Sequence, residues 1–127
     1  MKTLTYFVAA FPGLIHLALA YVEMRSWTKL GTKALGEFFD DPTFFETTEP
    51  LAYHMGLYNA FLGLGLWWSL AAYETSWYPN PTLFFLACMI VAGLEGWRTI
   101  GAKKLFFYQS VPALLALGVL AWTALAR

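Results

Sequence analysis

The chain has 127 residues, 59% of them hydrophobic, 19% aromatic and only 13% charged. Soluble domains of this size carry roughly a quarter charged residues. Eight Lys and Arg balance eight Asp and Glu, which excludes a basic nucleic-acid binder, an acidic tail and a disordered chain. The lone Cys88 excludes an internal disulfide framework, and no Cys/His group has zinc-site spacing. An all-α integral membrane protein with a single domain is the class that remains.

Four apolar runs are long enough to cross a bilayer, which takes about 20 helical residues. They cover residues 4–23, 50–73, 81–100 and 105–126. Tyr78-Pro79-Asn80-Pro81 is a turn signal, and Gly101-Ala102-Lys103-Lys104 is a short charged hinge. Connections this short predict antiparallel neighbours, hence an up-down four-helix bundle. The runs lack the alternating polar positions of a membrane barrel.

Arg25, Lys29, Lys33, Arg98, Lys103 and Lys104 fall in the first and third connections, against Lys2 and Arg127 on the opposite side. This asymmetry predicts a cytoplasmic location for those two connections and both termini outside. A rival reading takes Ala18-Leu19-Ala20 as the cleavage site of a signal peptide; it would turn Lys2 inward, against the stronger charge signal. In the connection 25–49, Trp27, Phe38, Phe39, Phe44 and Phe45 alternate with charged residues. That mixture suits the headgroup layer, as a lid over the cytoplasmic end or as a plain anchor.

Polar side chains inside a span are costly and mark candidate sites. The candidates are His16 and Glu23 in the first run, His54, Tyr58 and Asn59 in the second, Glu95 in the third, and Tyr108 and Gln109 in the fourth. At a rise of about 1.5 Å per residue, Glu23 and Glu95 lie within roughly 5 Å of the cytoplasmic boundary, and His16 and Asn59 roughly 12 Å in. The polar groups therefore share one layer in the cytoplasmic half. His16 and Glu23 are two turns apart on one helix face. Pro12 can open the helix one turn before His16, and Gly56, Gly63 and Gly65 allow close helix approach. Blander roles stand beside these: Glu23, Glu95 and Arg98 snorkelling to headgroups, Asn59 and Gln109 as interhelical hydrogen bonds, each His as a bonded core residue, and Trp67-Trp68 as an interface belt. No nucleotide loop, serine-nucleophile elbow or zinc-protease motif is present.

The stretch His16-Leu-Ala-Leu-Ala-Tyr-Val-Glu23-Met with Trp27-Thr, then Gly56-Leu-Tyr58-Asn59-Ala-Phe, Val91-Ala-Gly93 with Gly96, and Gln109-Ser-Val-Pro112-Ala-Leu-Leu-Ala resembles a small bacterial membrane family, domain-of-unknown-function family 1304. The resemblance implies a four-helix fold in a bacterial inner membrane and no assigned activity. His54 and Glu95 depart from the residues that pattern leads one to expect.

His54-Met-Gly56 followed by an Asn, and Leu94-Glu95-Gly96-Trp97, are similar to segments of styrene oxide isomerase. That second resemblance implies a homotrimer with haem b and the isomerisation of a small apolar epoxide to a carbonyl compound. Carried over by motif, His54 is the iron ligand (His16 being the second choice), Asn59 or Tyr58 holds the epoxide oxygen, and Glu95 is the acidic residue. That enzyme's further Tyr in the third helix has no counterpart here, where Lys103 stands. Arg25 and Arg98 are cations available to haem propionates. The competing expectations are a small transporter or proton-linked carrier using Glu23, His16 and Glu95, and a non-catalytic assembly subunit whose polar layer only sets helix register.

Overall fold

The computed structural model describes residues 3–72 and 79–125. Lys2 and Arg127, used above for orientation, Tyr73 and Ala126 at the expected span ends, and Tyr78 of the turn lie outside the described residues. Among those described, the secondary structure is helical and contains no strand. The long segments are α1 (Thr3–Arg25), α4 (Glu49–Ala71), α5 (Asn80–Ile100) and a final segment. That last one comprises α6 (Lys103–Leu105), a π turn (Phe106–Ser110) and α7 (Val111–Leu125). Between α1 and α4 lie a π turn (Trp27–Gly31), α2 (Thr32–Leu35), a 3-10 turn (Gly36–Phe38) and α3 (Phe44–Thr47).

Local chemistry accounts for the boundaries. Pro50 and Pro81 stand in the first turns of α4 and α5, where a missing N–H costs nothing and the fixed φ favours entry. Gly101 ends α5 with φ 73°, its N–H donating to the Trp97 carbonyl, a left-handed cap open to glycine without steric penalty. The second π turn lies just before Pro112, whose ring would crowd the Tyr108 carbonyl in a regular helix. α1, by contrast, continues through Pro12.

Consecutive long segments pack antiparallel. Residue numbers rise along α1 as they fall along α4: Gly13 meets Gly63, and Glu23 meets Gly56. Ser69 at the end of α4 accepts from Thr82 near the start of α5 (3.0 Å). Ser110 of the π turn donates to the Ile90 carbonyl (2.6 Å). One core joins all four segments through Ala9, Leu66, Leu70, Leu86, Met89, Ala113, Ala116 and Leu120. The outward faces are also apolar, with Phe7, Phe11 and Leu14 on α1, Phe61 and Leu64 on α4, and Leu115 and Trp122 on α7 exposed. Such a surface suits lipid better than water.

Among the described residues, three helices are long and apolar enough to cross a membrane: Thr3–Arg25, Asn80–Ile100 and Lys103–Leu125. The sequence led us to expect four. α4 has the length, at 23 residues, but His54, Asn59, its glycines and the Trp67-Trp68 pair dilute its apolar character.

The connection 26–48 is a folded cap with its own small core. Trp27, Phe45 and Ala52 are buried together, with Leu35, Phe39 and Phe44 packed against them. Phe39 stacks on Phe44 at 3.8 Å, and Trp27 meets Phe45 at 5.1 Å. The Trp27 indole donates to Thr48 Oγ1 (3.0 Å). These aromatics thus pack largely on one another, a tertiary arrangement that a headgroup-layer composition does not reveal.

Candidate functional site

Of the candidates named from sequence, those that hydrogen-bond across helices among the described residues come from α1 and α4. Their contact is made possible by glycine. A Cβ at Gly63 would lie 2.7 Å from the Gly13 carbonyl oxygen and 2.8 Å from Leu17 Cγ. One at Gly56 would lie 3.0 Å from the Ala20 carbonyl and would overlap Met24. Small residues at both ends of the seam bring the backbones together, and polar side chains between them fall within hydrogen-bonding reach. Trp67 completes the seam: its indole donates to the Ala10 carbonyl (2.9 Å) and its ring fills the space beside Gly13.

Midway along this seam, Asn59 Nδ2 donates to Glu23 Oε2 at 2.6 Å, and Asn59 Oδ1 lies 2.7 Å from His16 Nδ1. The first bond orients the amide. Its oxygen is then left to accept, so His16 Nδ1 carries the hydrogen. A neutral His16 therefore presents a bare lone pair at Nε2. The ring is fully buried, and Nε2 has no hydrogen-bond partner. Buried polar atoms are almost always paired, which makes this nitrogen the chemically open point of the seam. An imidazole with one nitrogen held by an amide and a carboxylate behind it has the same construction as an oriented base or ligand.

The remaining candidates are elsewhere. His54 is exposed near the start of α4, its ring edge-on to Tyr53. It borders a shallow groove formed by Met24, Glu49, Pro50, Tyr53 and His54. Tyr58, one turn further, is 64% exposed on the same outward face. Asn59 faces the α1 seam instead, so His54 and Asn59 are on different sides of α4. Glu95 accepts two bonds from Arg98 Nε and one from Nη2 at 2.7–3.0 Å, on an exposed stretch of α5. Arg25 is exposed at the end of α1. Gln109 is buried in the π turn, where a Cβ on Gly93 would lie 2.9 Å from its own Cβ; Tyr108 is exposed. Among the described residues, His16, Asn59 and Glu23 form a hydrogen-bonded chain between α1 and α4.

Among the described residues, no group of three or more His, Cys, Asp or Glu side chains is placed to hold a metal ion. Two of the contacts not foreseen from sequence bear on the site and on the cap. One is the His16–Asn59 pairing, whose signal is the matched glycines of the two runs. The other is the tie from Lys104 to Glu37 in the cap, for which opposite charges 67 positions apart give no usable signal.

No curated protein matches the chain, and no solved structure matches it. A family model described as a protein of unknown function (DUF1304) matches residues 10–121, a stretch holding His16, Glu23, the cap, Asn59, α5 and the second π turn. The chain belongs to that family.

Proposed function

We propose that the chain is a multi-pass protein of a bacterial inner membrane, an up-down four-helix bundle, that works as a small proton-linked carrier centred on His16. The observation that carries this reading is the unpartnered Nε2 of a fully buried ring. A histidine present only to bind two helices together would gain from satisfying both nitrogens. Here one nitrogen is fixed by Asn59 and the other is kept free. A proton taken up at Nε2 makes an imidazolium whose charge is offset, across the Asn59 amide, by an ionised Glu23. That compensation permits charge in a medium of low dielectric. The amide orients His16 and does not conduct; the proton enters and leaves at Nε2. The Lys and Arg asymmetry supports termini outside and a cytoplasmic cap.

The experiment is proton flux in proteoliposomes loaded with a pH dye, under an imposed pH gradient. The wild-type chain is expected to carry a flux that His16→Ala abolishes while helix content is retained. Equal flux in both, or none in either, overturns the reading.

A haem b-dependent epoxide isomerase is the second reading, favoured by one observation: an exposed imidazole, His54, beside Tyr58 on an outward face of α4. On that reading the chain would assemble as a homotrimer and His54 and Arg25 would hold the group, while Arg98 is engaged by Glu95. Haem, if bound, would supply a Lewis-acidic iron. A Soret band that disappears in His54→Ala supports it; a colourless protein from haem-supplemented cells excludes it.

A further inference from the structure

Gln109 is a buried polar residue that the His16 chain leaves out. It is 8% exposed, and among the described residues its side-chain amide makes no hydrogen bond. The interhelical bond that its sequence position suggests is therefore not made. His16 Nε2 likewise has no partner. Each is an unsatisfied polar group of the kind that a folded interior rarely tolerates.

Helix periodicity puts the two in one layer. Ala9, Leu66 and Ala116 belong to one core shared by α1, α4 and α7. Two turns nearer the cap from each, about 10 Å along the axis, stand His16, Asn59 and Gln109, and residues two turns apart share a helix face. The 2.7 Å contact of His16 with Asn59 verifies this step for the first two helices. On the last segment the π turn intervenes, and the burial of Gln109 and Ser110 shows that it keeps this face inward. α1 itself packs against that turn. On α5, Gly93 lets the turn come close: a Cβ there would lie 2.9 Å from Gln109 Cβ and would overlap Ser110.

The two groups are chemically complementary. His16 Nε2 offers a lone pair, and an amide offers both N–H and C=O from one side chain. We infer that Gln109 is a positioning residue for His16, holding Nε2 as Asn59 holds Nδ1. The arrangement described above is the open one, with both groups unpaired. In the closed one the Gln109 side chain reorients and its amide N–H donates to the His16 Nε2 lone pair. The inference deepens the carrier reading and rests on it for the change of charge at the ring. Once Nε2 carries a proton, the same amide, turned over, accepts from it through Oε1. A carboxylate would serve the charged ring far better than the neutral one, and an apolar side chain would serve neither. Closing satisfies two buried polar groups at once; opening leaves Nε2 bare for the proton to enter or leave. No proton passes through the amide.

The test is nitrogen NMR of the full chain in lipid nanodiscs, labelled with heavy nitrogen and carrying His54→Gln so that a single imidazole is observed. An N–H···N hydrogen bond transmits a coupling between its two nitrogens. With the ring neutral, this parent chain is expected to show that coupling between His16 Nε2 and the Gln109 side-chain nitrogen, and an Nε2 resonance upfield of a bare lone pair. Gln109→Met, apolar and of the same length, should lose the coupling and move Nε2 downfield to the position of a bare lone pair. Ser110→Ala removes the neighbouring bond to the Ile90 carbonyl (2.6 Å) and should keep both signals, showing that a disturbed π turn is not the cause. No coupling in the parent overturns the inference, as does an unmoved Nε2 in Gln109→Met or the same loss in Ser110→Ala. Coupling that meets these controls, without any wild-type proton flux, supports the pairing and rejects the carrier. Flux that depends on His16, with no coupling in the parent, does the reverse.

Discussion

Replacing Asn59 by leucine, close to it in size, removes both bonds of the seam at once. His16 Nδ1–H loses its acceptor at 2.7 Å, and Glu23 Oε2 loses its donor at 2.6 Å. Interhelical hydrogen bonds in bilayers average about 0.6 kcal/mol and reach about 1.7, because the separated helices also find polar partners. Two of them give an expected loss of about 1–3 kcal/mol. The sign follows from what is left behind: two polar groups committed to a closed seam with nothing to bond. Titration with a denaturing detergent in mixed micelles measures the loss. Nitrogen NMR of the His16 ring measures the accompanying release from the Nδ1–H tautomer. In a His16→Leu background the same substitution removes one partnership fewer and should cost less, leaving a coupling of about 0.5–1.7 kcal/mol. Additivity within about 0.3 kcal/mol, with an unchanged tautomer in Asn59→Leu, would refute the argument that this amide orients His16.

Gly63→Ala should destabilise by about 1–3 kcal/mol, because its new methyl group would lie 2.7 Å from the Gly13 carbonyl and only helix separation relieves that contact. Gly118→Ala, with open space at its Cβ position, should be neutral or stabilising by up to about 1 kcal/mol; equal stability of the two variants in the same detergent titration would contradict the seam. In the cap, the Thr43 amide N–H and hydroxyl both donate to Asp41 Oδ1 at 2.8 Å, holding that carboxyl below its ordinary range. Since the folded value is the depressed one, the support is complete above the ordinary Asp value of about 3.9 and is lost as pH falls through the lower folded value. The Thr43 amide shift should follow that low titration, and a midpoint at or above the ordinary value would count against the turn.

Much of this architecture follows from composition and punctuation. Long runs of Leu, Phe and Ala with few charges dictate helices, since no other single-run structure satisfies its own backbone in lipid. Pro50, Pro81 and Gly101 mark where helices start and stop with little dependence on their surroundings. The polar residues of interest were equally visible, because His16, Glu23 and Asn59 are expensive in any apolar run. Which of them meet was not visible. α1 and α4 are joined by the 23-residue cap 26–48, so no tight turn fixes their register. The match is made where Gly13, Gly63 and Gly56 let two backbones touch, a property of paired surfaces. That contact turns Asn59 toward His16 and leaves His54 outside. The tie from Lys104 to Glu37 and the aromatic core around Trp27 likewise depend on elements distant in the chain, because hydrophobic burial and charge pairing act between whichever groups the packed helices bring together.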